Sequence, residues 1–142
     1  MPVGKQICLL TCLAFSLVGA AQEAMSGPDN LNFYFQQGQK DATLEQSLFF
    51  SNEQDELDYW VDQRIYEQAL QKKSPREFTA YMLAKQLVYL RYAHTCSQTC
   101  EHGDYFHLQA SYYSQFVTED AEVVLWLQGF NNDNTIAGAF RH

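Results

Sequence analysis

Over most of the chain, apolar positions recur every three to four residues, the period of a helix and not of a strand. The longest such segment follows Ser74. From Phe78 to Ala93 only Thr79, Lys85, Gln86 and Arg91 interrupt the apolar residues. Phe78, Met82, Tyr89 and Tyr92 form one stripe, with Tyr81 and Lys85 beside it, and Leu83, Leu87 and Leu90 form a second. A helix apolar on most of its circumference is buried on most sides, so this pattern predicts a central helix over 75–94 with others packed around it. Ser74-Pro75-Arg76-Glu77 supplies its start: a capping hydroxyl, a proline at the first helical position and a capping-box acid.

Upstream, Leu57, Trp60, Val61, Ile65 and Ala69 recur at helical spacing and predict one inward face. Ser51 reads as the start of that helix, with Gln54 in the capping-box position. Glu53, Asp55 and Glu56 stand at its positive end and Lys72 and Lys73 at its negative end. The short link to Pro75 makes the two long helices antiparallel neighbours. Downstream, Asp104 caps a helix over Tyr105–Val117. Thr118 opens a last one over Glu119–Gln128, with Val124, Leu125 and Leu127 inward and Gly129 as its stop. Ahead of the long helices, Asp41 caps a short helix over Ala42–Phe50, with Leu44, Leu48 and Phe49 inward. Before it, Leu31, Phe33 and Phe35 alternate as in a short strand or an apolar arm.

The expected fold class is therefore all-α: a small bundle of about four to five helices around the central helix. The expected division is a signal peptide at 1–21, a flexible lead-in and apolar arm at 22–40, and one helical domain at 41–142. Lys5, the apolar run Ile7–Val18 and the small residues Gly19-Ala20-Ala21 form the secretory signal, with cleavage after Ala20 or Ala21. The run is too short for a stable membrane anchor. The destination is periplasmic or secreted.

Export changes the cysteine reading. Cys8 and Cys12 leave with the signal, and Cys96 and Cys100 remain as an even pair in an oxidising compartment, where a disulfide is the expected state. A spacing of four puts them within bonding reach in a helical turn or compact loop, and so small a loop is worth only about 2 kcal/mol in chain entropy.

The formal net charge is −8, and loss of Lys5 makes it one more negative. This balance argues against binding nucleic acid or an anionic membrane surface, and it favours a basic protein partner. No phosphate-binding glycine loop, serine elbow or zinc-protease motif is present. The reading that follows is a non-enzymatic exported protein without a cofactor, acting by protein–protein binding as an inhibitor, an immunity-type neutraliser or an accessory protein. Tyr89, Tyr92, Tyr112 and Tyr113 are its binding-surface candidates, because tyrosine serves interfaces with an apolar body and a polar tip.

The alternative is a metal-binding protein or small metal-dependent hydrolase. It would use His94, His102 and His107, joined by the cysteines if reduced, to hold zinc or copper. The spacing His-x-Cys-x3-Cys-x-His matches no common zinc motif. His102, Asp104 and His107 could also meet as an acid–base group.

Overall fold

The computed structural model describes residues 27–95 and 102–132. The expected signal peptide, the expected disulfide pair Cys96 and Cys100, and the residues beyond Asn132 lie outside the described residues. Five helices follow in order: α1 Pro28–Glu45, α2 Glu53–Lys73, α3 Pro75–Thr95, α4 Asp104–Ser114 and α5 Ala121–Asn132. Among the described residues there is no strand, and no helix is long and apolar enough to cross a membrane. The all-α bundle around a central helix is what the hydrophobic pattern predicts.

α3 is that centre. Phe78, Ala80, Tyr81, Met82, Ala84, Lys85 and Tyr89 are all buried, and the helix touches each of the other four. Only Ser74 separates it from α2, so the chain turns straight back; the Ser74 carbonyl already accepts the Phe78 N–H at 3.0 Å. α1 packs on α3 most extensively. Asp41 meets Tyr81 and Glu45 meets Lys85, a constant offset that makes the two helices parallel. Their approach is close because Gly38 faces the α3 backbone: a Cβ there would collide with the Tyr81 carbonyl oxygen and sit 3.0 Å from Ala84 Cβ.

α2 and α4 also run parallel, with Glu56 reaching Phe106, Arg64 reaching Gln109 and Glu67 reaching Tyr113. One core cluster fills the space between α1, α2, α3 and α4 around Trp60, Tyr81, Met82, Tyr89 and Phe106. A second lies on the other side of the α1–α3 pair. There α5 brings Val123 onto Leu31, Phe35, Ala80 and Ala84, with Trp126 and Phe130 against the Phe35 ring.

Several local expectations change. Residues 31–38 are neither strand nor arm but the first turns of α1. Their alternation is overridden because Leu31, Phe35, Gly38, Ala42 and Glu45 recur at helical spacing toward α3. The helix stops at Glu45, and Asp41 lies inside it, accepting from Tyr81 instead of capping. Phe49 is 71% exposed. α2 is capped by Asn52, whose side chain accepts the Asp55 N–H, and not by Ser51. α4 receives its cap from another helix: Glu56 Oε1 accepts the Phe106 N–H at 2.8 Å. α5 is capped by Asp120, which accepts the Val123 N–H at 3.1 Å, and it runs through Gly129. Val123 is its buried residue, while Leu125 is exposed.

The largest correction concerns α2. Its inward face is Glu56, Trp60, Glu67 and Leu70, whereas Val61, Ile65 and Ala69 face solvent. Two acids inward and three apolar residues outward invert the usual amphipathic rule.

Candidate functional site

The α2–α4 pair has an unusual chemistry inside, outside and at its N-terminal end. Inside, Lys85 is completely buried and its ammonium donates to Glu45 Oε1 at 2.6 Å and to Glu67 Oε1 at 3.2 Å. The Tyr89 hydroxyl donates to Glu45 Oε2 at 2.7 Å, and the Tyr113 hydroxyl to Glu67 Oε1 at 2.6 Å. The ammonium also sits 4.0 Å from the centre of the Tyr113 ring. Buried charges survive only when paired and hydrogen-bonded. Two carboxylates need a second cation, and Arg64 supplies it with its guanidinium 3.7 Å from Glu67 Oε2.

Burial raises the Glu45 carboxyl above its usual range, against the lowering pull of Lys85 and Tyr89. Burial, reinforced by Glu45 and Glu67, raises Tyr89 and Tyr113 far above an ordinary phenol, so both remain donors. The cluster ties α1, α2, α3 and α4 together. One signal for it in the sequence is Lys85 standing in an apolar run, because a buried lysine demands carboxylate partners.

Outside, Arg64 crosses from α2 to α4. It donates to Gln109 at 2.8 Å and lies 4.0 Å over the ring of Tyr112. Val61 and Ile65 stand on either side of Arg64 along α2; Leu108 and Tyr112 stand on either side of Gln109 along α4. All four are exposed, Leu108 to 63%. Asp58 and Asp62, also exposed, interleave with the apolar positions of α2.

At the N-terminal end of the pair is a cavity of about 370 Å³, between the α1–α2 loop and the first turn of α4. Phe49, Phe50, Glu53, Glu56, His102 and Asp104 are among its walls. The His102 ring is stacked between Phe106 at 3.9 Å and Phe49 at 5.4 Å. Burial, then the neighbouring His107, lowers the His102 imidazole, with Glu56 pulling it back up. An NMR titration should therefore find His102 losing its proton below the ordinary histidine range. Its folded form binds a proton less readily than the unfolded chain, so its stability contribution falls as pH drops below about 6.5.

The binding-surface tyrosines separate into two pairs. Tyr89 and Tyr113 are 1% exposed and stacked on each other in the core, so they are not surface residues; their hydroxyls are committed to Glu45 and Glu67. Tyr92 is half-buried, with its edge on Phe106, and Tyr112 is on the outer face. His102 and His107 both meet Phe106, and His94 is exposed on the last turn of α3. Among the described residues no three His, Cys, Asp or Glu side chains gather closely enough to hold a metal ion. Sequence reading missed Glu45, Glu56 and Glu67 as interior groups. Glu56 and Glu67 share the spacing of Trp60 and Leu70, the one hint that they turn inward.

No family model matches the chain, and neither curated proteins nor solved structures provide a match.

Proposed function

We propose that this is an exported binding protein whose outer α2–α4 face docks a basic, amphipathic segment of another protein. The supporting observation is that Val61 and Ile65 on α2 and Leu108 and Tyr112 on α4 are exposed on the two helices that Arg64 joins, in a bundle whose interior face holds acids. Apolar side chains clustered outward while carboxylates turn inward have no use in folding, and such patches mark interaction sites. Asp58 and Asp62 at its margin, with the net negative charge of the chain, favour a partner with lysines or arginines around an apolar ridge. An inhibitor, a toxin neutraliser or an accessory subunit works in this way. Export rests on residues 1–21, and a mature N-terminus at Ala21 or Gln22, read by mass spectrometry of the protein from its own cells, is the expected result.

The deciding experiment compares the wild type with Ile65→Lys/Leu108→Lys as bait against an envelope extract. Both positions are solvent-facing, so the thermal midpoint should hold. Proteins retained by the wild type at low salt should be lost with the double variant, and reduced at high salt. A double variant that retains the same proteins refutes this face as the docking surface.

A further inference from the structure

We propose that the cavity at the N-terminal end of α2 and α4 binds a guanidinium group. Its size, about 370 Å³, lies within the range of small-ligand sites, roughly 300–1,000 Å³.

Three observations select the ligand class. Among the described residues the walls carry Glu53, Glu56 and Asp104 and neither lysine nor arginine, so the site favours a cation. Glu56 is more than nine-tenths buried. One oxygen caps α4 through Phe106 N–H; the other lies against Gly103, also in the cavity wall. A Cβ at position 103 would strike that oxygen, so glycine is what lets the carboxylate stand there.

Flat rings complete the site. Phe49, His102 and Phe106 form a near-parallel stack with the outermost ring, Phe49, largely exposed. A planar guanidinium stacks on such faces and forms paired hydrogen bonds with carboxylates; a spherical ammonium does neither as well. With its imidazole lowered, His102 stays neutral near pH 7 and does not repel the cation. An anion is disfavoured because Glu56 already occupies the start of α4.

The chemistry stands apart from the docking reading, but the natural source of the group rests on it. The cavity lies at the N-terminal end of the α2–α4 pair along which the basic segment would lie, so an arginine of that segment is the expected source.

The test titrates the purified protein with Nα-acetylarginine amide and, in parallel, its neutral citrulline isostere, by amide NMR. The arginine compound should saturably shift Gly103, Asp104 and Phe106, and citrulline should bind about tenfold or more weakly. Phe49→Ala/Glu53→Gln, both solvent-accessible substitutions, should weaken the arginine compound about tenfold at an unchanged thermal midpoint. Equal binding of the two compounds, undiminished binding to the double variant, or no saturable shift at these amides overturns the proposal.

Agmatine and an arginine-containing tetrapeptide separate the sources. A peptide about tenfold tighter assigns the site to a protein arginine, and equal affinity assigns it to a free guanidinium compound. Ile65→Lys/Leu108→Lys should bind the arginine compound normally, so failure of the docking face and failure of the cavity are distinguishable.

Discussion

Lys85→Met lowers stability at pH 7 by about 3–5 kcal/mol, enough to unfold much of the population of a small domain. The substitution keeps an unbranched side chain one atom shorter and removes the ammonium that donates to both Glu45 and Glu67. Two carboxylates then face each other's charge in the core with Arg64 as the remaining cation near Glu67. The loss should depend on pH. Burial already holds the Glu45 carboxyl above its usual range, and removing Lys85 takes away the principal lowering influence. A carboxyl with a raised folded pKa favours folding at low pH, where it is protonated, and this contribution disappears as pH rises from the unfolded value through the folded one. Urea unfolding should therefore show a smaller deficit near pH 5 than at pH 7. A deficit below about 1 kcal/mol at pH 7 would mean that water or local rearrangement solvates the cluster.

Gly38→Ala should cost about 1–3 kcal/mol, with the thermal midpoint lowered by about 4–8 °C for each kcal/mol. Alanine alone raises helix propensity by up to about 1 kcal/mol, so the sign tests packing against propensity. Packing should win, because the new methyl meets the backbone carbonyl of Tyr81 on the central helix, which cannot rotate away as a side chain would. To make room, α1 must withdraw from α3, loosening the contact between Glu45 and Lys85 about two turns further on. Gly38→Ser should behave similarly. A midpoint above that of wild type would show that α1 slides without cost.

The sequence made the centre of this fold legible for a simple reason. α3 is apolar on nearly every side, and its start at Ser74-Pro75 uses strong local signals that tertiary contacts had no cause to override. The orientation of α2 was not legible. Val61, Ile65 and Ala69 mark a face as clearly as Trp60 and Leu70 do, and it is Lys85 and Tyr113, residues of other helices, that hold Glu67 inward. The same is true of α4, whose cap comes from Glu56, 50 residues before the Phe106 N–H it accepts. Charge–charge and cap contacts made across helices leave no period within either partner. The split of Tyr112 from Tyr113, one outward and one bonded to Glu67, depends on a one-residue step of a helix whose direction only packing fixes.

The ammonium shared between α1 and α2 also constrains how descendants of this chain can diverge. Positions 45, 67 and 85 form a charge balance in which each single replacement strands a partner in the core, whereas joint replacement by apolar residues is tolerated. Divergence at these three sites should thus be all-or-none among homologues, with Tyr89 and Tyr113 changing to phenylalanine in the lineages that abandon the acids.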